Sequence, residues 1–516
     1  MPHRLNALSS RVIRLAICLS CLASAATSAD ENAALRAQYE AKAAMAAGDH
    51  ARAGSLFGTA LRELEGLGPS HAPLRVYPLT GLGVIEMERG HYRAALDLAE
   101  QGLRFARPGF GPDAEPTVMA AILRATALDE MSLPAAVAAW SEVRQTLGRM
   151  ARWSDPLGQY NAYNNLAEFE MGQGELANAV THHRAAIATL EAFFGPQSEQ
   201  MVEKAISRIN LAQAMFLSGD QFEAENALRE AIATLATPQR AAADQALAQA
   251  LSNLAHMLTR KKRLDDAELM LREAVRRFER RQSPARMSAE NNLAIVYALR
   301  GKLEQAATVF EGVYRERLMH RWAQFPSQPH RDVADPLFPD SGLADADLLT
   351  AAENLAYARM KTARPDDAIR LYRGVFHARQ RMTKNSGIEV ALTQAHLAQA
   401  LAESGALREA DEAIVAATRV VTDLLAADDP MRLQFDFFRG KIALLAGRPA
   451  EALTLVKPYS DWVAAAGRRL QLPARDSIAQ LGFASGVHET VLVAAWQLAH
   501  GPDDESARRK PSDNVR

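Results

Sequence analysis

The chain has 516 residues, of which 23% are charged and 6% aromatic, and its formal net charge is −2 at pH 7. This balance of charge excludes the electrostatic signature of a nucleic-acid-binding protein or of a protein held on an anionic membrane. A chain of this length also exceeds what one compact core usually supports, so we expect several units or an extended array.

The first 29 residues predict a secretory signal peptide. Three arginines among residues 1–14 supply a positive start, residues 15–26 form an apolar run, and residues 27–29 offer a small-residue cleavage site near Ala29. The run is too short to span a bilayer. We therefore expect a periplasmic or secreted protein without a stable membrane anchor.

Both cysteines lie inside this segment, at Cys18 and Cys21. A mature chain that starts near Asp30 would contain no cysteine. Disulfides, thiolate metal sites and cysteine nucleophiles would then be excluded. Such a composition suits an oxidising compartment, where a lone thiol is a liability.

The rest of the chain repeats a frame of four marks: a leucine, a small residue directly after it, a glycine eight residues on and an alanine thirteen residues on. Complete copies begin at Leu166, Leu211, Leu293 and Leu397. Two further copies, at Leu254 and Leu355, have Lys262 and Ala363 in place of the glycine. Apolar residues recur at helical spacing on both sides of the third mark, so each copy predicts two helices joined by a tight turn.

Less regular copies flank these. The turn and alanine marks of the early copies are Gly48 and Ala53, Gly90 and Ala95, and, more loosely, Met131 and Ala136; those of the last copy are Gly447 and Ala452. We therefore predict degenerate repeats over residues 30–160, regular repeats over 161–319, and further repeats with capping helices over 347–500. Residues 501–516 are polar and charged, which favours a disordered tail.

This frame resembles the tetratricopeptide repeat (TPR). Most alanine marks follow one another at 39 to 45 residues, which is longer than the 34 residues of the standard repeat. The sequence is therefore similar to the long-period, about 42-residue subclass found in kinesin light chains and many bacterial scaffold proteins. The resemblance implies an all-α fold, a right-handed α-solenoid of tandem helix-turn-helix repeats.

One interval is longer, because Ala306 and Ala368 lie 62 residues apart. The extra residues fall at 320–346, where four prolines exclude a regular helix. We expect this insert to be a functional attachment that packs onto the solenoid through apolar residues such as Trp322. Its four aspartates, together with Asp347 directly after it, could ligate calcium, but their spacing matches no calcium loop, and Asp345 or Asp347 serves equally well as a helix N-cap.

No motif for metal, phosphate or dinucleotide binding or for nucleophilic catalysis is present. Gly81-Leu82-Gly83 lacks the third glycine of a dinucleotide pattern, and we interpret it as close helix packing. His182 and His183 are adjacent, and neighbouring helix positions point about 100° apart, so they cannot easily share a metal. We interpret them as part of a solvated helix face. The sequence predicts no catalytic residue, no metal and no cofactor.

A column of polar residues stands directly before the leucine marks. Its members are Asn165, Asn210, Asn253, Asn292, Asn354 and His396. Asparagine is a mediocre helix former, so its recurrence at one position requires a cause. The resemblance implies that the column faces a concave groove and contacts an extended peptide, whose backbone an amide can read by donating and accepting together. The alternative is that the amides bond to neighbouring helices and hold the repeats in register.

Residues four before and three or seven after each column member lie on the same helix face. The flanking residues that we assign to the predicted groove are Asn161, Gln249, His256, Arg260, Tyr357 and Lys361. This lining is mixed and polar, without a dominant charge.

These observations predict an exported, non-catalytic scaffold of a bacterial periplasm that binds a protein or an extended peptide in its concave groove. The arginine-over-lysine bias suggests a GC-rich genome. The alternative is a regulatory or assembly subunit of a cell-envelope complex that uses its convex face and the insert. An enzyme is a third class, without a supporting motif. The pattern leaves the partner and the oligomeric state open.

Overall fold

A computed structural model describes residues 29–150, 153–194, 201–236, 241–324, 346–382 and 387–466, and six residues between 490 and 498. Over these residues the structure is all-α, with twenty α-helices and one 3-10 helix. Residues 1–28 of the predicted signal peptide, residues 325–345 of the predicted insert and the predicted tail lie outside the described residues.

The chain forms two compact units, Met1–Asn253 and Leu254–Arg516. The helices of the first unit are α1 (Ala29–Ala46), α2 (His50–Gly66), a 3-10 helix (Pro69–Arg75), α3 (Val76–Glu88), α4 (Tyr92–Phe110), α5 (Glu115–Glu130), α6 (Ala135–Arg149), α7 (Pro156–Gln173), α8 (Leu176–Phe194), α9 (Met201–Leu217) and α10 (Gln221–Leu235). The unit boundary falls inside α11 (Ala241–Arg260).

The helices of the second unit after α11 are α12 (Leu264–Arg280), α13 (Ala285–Leu299), α14 (Leu303–Gln324), α15 (Ala346–Lys361), α16 (Pro365–Met382), α17 (Ile388–Glu403), α18 (Leu407–Leu424), α19 (Pro430–Leu445) and α20 (Pro449–Ala466). Consecutive helices pack as pairs, such as α7 with α8 and α17 with α18. The first helices of the pairs begin at residues 156, 201, 241 and 285 and then at 346, 388 and 430. The predicted α-solenoid of long-period helix pairs is confirmed.

The backbone conformation of the turns explains why the third mark of the frame is usually a glycine. Each predicted turn glycine has a positive φ, the conformation that only glycine adopts without steric cost; these glycines are Gly48, Gly90, Gly174, Gly219, Gly301, Gly405 and Gly447. Lys262 and Ala363 adopt the same conformation, with φ of 59° and 58°. The prediction was wrong at Met131, because Ser132 is the residue with positive φ in that turn.

The alanine marks are buried in the packing between helices. Ala136 is 4% exposed, and the other marks from Ala53 to Ala452 are completely buried. A larger side chain at these positions would hold the helices apart. Gly81 has the same role, since a Cβ built on it would lie 2.5 Å from Cζ of Phe57. The interpretation of Gly81-Leu82-Gly83 as close helix packing is confirmed.

The boundary of the insert differs from the predicted one. α14 continues through Gln324, so the first residues of the predicted insert are helical, and Trp322 is buried. Arg317 in the same helix lies 2.8 Å from a carboxylate oxygen of Asp347 at the start of α15. The described helix α14 therefore includes the first five residues of the predicted insert, up to Gln324.

The last helix pair is covered by residues near the end of the described chain. Val491 packs against Phe437, Val456 and Tyr459, and Ala494 is completely buried beside Ala443 and Ala452. Among the helices that the structure describes, none combines the length and the apolar character needed to cross a membrane.

Candidate peptide-binding surface

The column of amides follows the first helices of the repeats. In the first unit Asn165 lies on α7, Asn210 on α9 and Asn253 on α11, and all three are half-buried. We call these residues, together with Asn161 and Gln249, the amide face of the first unit. Helical periodicity places them on the side of each helix that remains partly accessible to solvent.

Two of these three column residues already have partners. Asn210 donates from Nδ2 to Oε1 of Glu168, 3.2 Å away on the preceding first helix. Asn253 accepts from Nε2 of Gln249, one turn earlier on α11, at 2.8 Å. The amide of Asn165 makes no hydrogen bond to any other described residue. Its two donors and its acceptor are therefore open to solvent or to a ligand.

Asn164, the neighbour of Asn165, has the opposite environment. It is buried, and its Oδ1 accepts from Nδ1 of His183 on α8 and from Oγ of Ser207 on α9, each at 2.9 Å. One amide thus connects three helices of two successive repeats. Sequence reasoning missed this residue and its partner Ser207.

The interpretation of His182 and His183 as a solvated helix face was wrong. His183 is completely buried, and burial together with the charge of His182 lowers its pKa to about 3. His182 lies 2.7 Å from a carboxylate oxygen of the buried Glu170 and stacks on the ring of Tyr163. The two histidines face different partners, and none of the described residues form a cluster able to hold a metal.

In the second unit the column changes character along the chain. Asn292 on α13 is half-buried and, like Asn165, makes no hydrogen bond to another described residue. Asn354 on α15 is only 2% exposed and donates from Nδ2 to Oδ1 of Asn291, 2.9 Å away on α13. The amide therefore binds the preceding repeat and is unavailable to a ligand.

His396 continues the column into the interior. Its ring lies 5.9 Å from that of Tyr372 on α16 and 5.7 Å from that of Phe438 on α19. Burial and the Arg379 guanidinium lower the pKa of His396, although Glu353 opposes them. The imidazole is thus a packing element between aromatic side chains of neighbouring helices.

The flanking residues of the second unit lie on two first helices, α11 and α15. His256, Arg260 and Tyr357 are half-buried, and Lys361 is exposed at the end of α15. The Lys361 ammonium lies 5.8 Å from the centre of the Tyr357 ring and 3.6 Å from a carboxylate oxygen of Glu403. Burial and the Glu403 charge raise the pKa of Tyr357, so its hydroxyl remains a hydrogen-bond donor at neutral pH.

One buried carboxylate in the second unit was also missed. Glu268 on α12 is 4% exposed, and its oxygens lie 2.7 Å from Arg272 and 3.1 Å from Lys302, with Arg300 also paired to it. Burial raises its pKa, but the hydrogen bond from Lys302 and the three positive charges outweigh that effect and lower it. Glu268 thus stays ionised and ties α12 to the turn between α13 and α14.

One protein-family model matches part of the chain. The tetratricopeptide repeat model matches residues 159–236 and 246–315. No curated protein matches the chain. Similar solved structures include the apo form of RapI, at 10% identity and a TM-score of 0.46, with 83% of this chain and 99% of that chain covered.

Two further structures are similar. A tetratricopeptide repeat protein from Parabacteroides merdae has 13% identity and a TM-score of 0.40 over 65% of this chain and 99% of that chain. Nearly identical TPR-like repeats of a putative kinesin light chain from Podosopora anserina have 17% identity and a TM-score of 0.34 over 45% of this chain and 100% of that chain.

The frame, the helix pairs and the matched family model lead to one assignment. The chain contains tetratricopeptide repeats over residues 159–236 and 246–315, and the described helix pairs on either side have the same helix-turn-helix form. Proteins of this class typically act as non-catalytic scaffolds that bind protein partners.

Proposed function

We propose that this protein is an exported, non-catalytic scaffold that binds an extended peptide or a flexible protein segment against the first helices of its repeats. The observation that carries this proposal is the contrast between adjacent asparagines. Asn164 and Asn291 are engaged in bonds between helices, while Asn165 and Asn292 are half-buried with uncommitted amides. A polar group that helix propensity disfavours and that supports no neighbour is well suited to a ligand.

The chemistry of an amide favours a peptide backbone as that ligand. Each asparagine side chain can donate to a carbonyl and accept from an N–H, so it reads the main chain of an extended segment without regard to its side chains. Each such bond contributes about 0.5–1.5 kcal/mol net. Selectivity then falls to flanking side chains, and in the second unit we assign it to His256, Arg260, Tyr357 and Lys361.

Burial limits the part of the column that we assign to ligand contact. Asn165, Asn210, Asn253 and Asn292 are half-buried, whereas Asn354 and His396 are buried. We therefore assign contact to the first four residues and a packing role to the last two. The interpretation as ligand contacts thus applies to the first four residues of the column, and the structural interpretation applies to the last two.

Export is part of the proposal and rests on the N-terminal pattern. Sequencing the N-terminus of protein recovered from the envelope fraction of a bacterium that expresses the full chain tests it. We expect a start near Asp30. A protein that keeps residues 1–29 and stays in the cytosol would overturn export and leave the peptide-binding proposal standing.

A displayed library of random linear peptides tests the binding proposal, because it offers many candidate segments to the protein at once. We expect the purified protein to enrich a family of peptides, and the double variant Asn165→Ala, Asn292→Ala to retain few of them. The matched control is Asn178→Ala with Gln394→Ala, two polar helical residues outside the column. Equal enrichment by the column variant and the control would overturn the proposal.

A further inference from the structure

The two units carry opposite net charge, which the balanced total conceals. Without the predicted signal peptide, whose three arginines contribute +3, residues 30–253 contain 27 acidic and 18 basic residues, a net charge of −9. Residues 254–516 contain 34 acidic and 38 basic residues, a net charge of +4. Opposite charges on different parts of one chain favour contact between copies of that chain.

The difference in charge between the two units is clearest at turns within the helix pairs. We define a turn tip as the residue with positive φ and the two residues on either side of it. In the first unit the tips at 130–134, 172–176 and 217–221 contain Glu130, Glu175 and Asp220 and no lysine or arginine. We call these three tips the acidic edge.

The next three tips, in the second unit, have the reverse composition. Residues 260–264, 299–303 and 361–365 contain no aspartate or glutamate, and their eight cations are Arg260, Lys261, Lys262, Arg263, Arg300, Lys302, Lys361 and Arg364. Carboxylates behind the tips neutralise part of this charge, since Arg263 pairs with Asp266 at 2.6 Å and Arg300 with Asp265 and Glu268. We call these tips the basic edge.

Exposed apolar side chains accompany both edges. Phe222, directly after the last acidic tip, is 70% exposed, and Leu133 and Val137 are exposed at the first. Leu269, on α12 beside the basic edge, is 59% exposed. Apolar anchors surrounded by charges of opposite sign on the two partners are the usual anatomy of a protein interface.

We infer that the acidic edge of one molecule docks onto the basic edge of a second copy, so that the protein self-associates head to tail. Such a contact joins two different surfaces, so each added molecule leaves one edge of each kind open. The contact uses the turns and not the amide face. Two residues of the basic edge, Arg260 and Lys361, are also assigned to peptide selectivity, and the charge-reversal variants below leave both unchanged.

Sedimentation velocity of the purified protein tests this inference across protein concentrations in about 0.05 M and about 0.5 M NaCl. In low salt we expect the weight-average mass to rise with concentration to about twice the monomer mass or beyond, and in high salt to return toward the monomer. A monomer at every concentration in low salt would overturn the inference.

Charge reversal identifies the surfaces. Lys261→Glu with Lys262→Glu and Arg364→Glu lowers the formal charge of the basic edge from +8 to +2, and to −1 when the paired Asp265, Asp266 and Glu268 are counted. Asp129→Lys with Glu130→Lys and Glu223→Lys changes the acidic edge, counted with the flanking Asp129 and Glu223, from −5 to +1. We expect each triple variant to be monomeric alone. We expect a mixture of the two to associate, because the first variant keeps the wild-type acidic edge and the second keeps the wild-type basic edge. Circular dichroism confirms that both remain helical.

A third variant controls for net charge. Arg276→Glu, Arg315→Glu and Arg419→Glu change exposed residues of second helices by the same amount as the basic-edge variant, and we expect association to persist. Association that survives both edge variants, or a mixture that stays monomeric, would show that the edges are not the interface.

Discussion

The Nδ2 atom of Asn354 donates a hydrogen bond to Oδ1 of Asn291, 2.9 Å away, across 63 residues of sequence. The bond joins the first helices on either side of the long interval, α13 and α15, so it fixes the register of these two successive repeats. Asn354 occupies the same position in its repeat as Asn165, which has no such partner. A residue's place in the repeat therefore does not determine its role, and its local partners do.

Alanine substitutions of the adjacent residues Asn164 and Asn165 should have opposite effects on stability. We expect Asn164→Ala to lower the free energy of unfolding by about 1–3 kcal/mol, because it leaves the buried donors of His183 and Ser207 without their acceptor. Asn165→Ala should raise it slightly, since alanine is the better helix former and no partner is lost. Thermal unfolding of both variants checks this. Equal destabilisation would mean that Asn165 also supports the fold.

Alanine substitutions of the two glycines on either side of the end of α7 should change the free energy of unfolding in opposite directions. Gly174 has a φ of 80°, where an added Cβ is strained, so Gly174→Ala should cost roughly 1 kcal/mol. Gly172 lies in the helical part of α7, with no atom within 4 Å of a Cβ built on it, so Gly172→Ala should stabilise by about 0.5–1 kcal/mol. Denaturant unfolding of the two variants measures the difference. A shift of the same sign in both would contradict the role assigned to the turn.

Acid should destabilise the first unit before its carboxylates titrate. Burial lowers the pKa of His183 to about 3, so the unfolded chain binds a proton below about pH 6.5 that the folded chain does not. Stability from this residue is therefore complete above pH 6.5 and falls by about 1.4 kcal/mol per pH unit as the pH drops toward 3.

Unfolding measured between about pH 7 and pH 5 checks that sign. His183→Gln keeps a donor for Asn164 and removes the titration, so its stability should vary less over this range. His377→Gln, on an exposed histidine, is the control and should retain the wild-type slope. A wild-type slope in His183→Gln would contradict the assignment.

The Glu268 cluster predicts a charge-dependent loss of stability. Glu268→Gln leaves Arg272, Arg300 and Lys302 around a neutral amide, and we expect a loss of roughly 1–3 kcal/mol, because the three cations remain partly exposed to water. Glu279→Gln on the same helix is exposed and should change stability by less than about 0.5 kcal/mol. Melting temperatures of the two variants at equal salt measure the difference, and equal values would contradict the role assigned to the Glu268 charge.

The repeat frame was predictable because packing restricts it strongly. Only small residues fit where paired helices approach, as at Ala179 and Ala224, and a left-handed turn favours glycine, as at Gly174 and Gly219. Lys262 and Ala363 show the limit of that rule, because the fold keeps the positive φ without glycine. The spacing of the marks located these two turns correctly, although neither has the glycine that marks the other turns.

The roles of the polar residues were harder to predict. Helical periodicity does place Asn165 with Asn161 and Glu168, and Asn164 with the buried Tyr160 and Ala167, so the signal for a structural Asn164 was present. The burial of His183 depends on a partner 19 residues away, and that of Glu268 on cations more than 30 residues away. Pairings between helices of this kind are not contained in a local pattern.

The central claim is that uncommitted column amides bind a peptide backbone. Isothermal titration with the most enriched library peptide, on the protein and on its Asn165→Ala, Asn292→Ala variant, tests it most directly. We predict that the double change weakens binding by about one to two orders of magnitude, with an unchanged melting temperature. Unchanged affinity, or a loss of affinity that follows a lowered melting temperature, would contradict the claim.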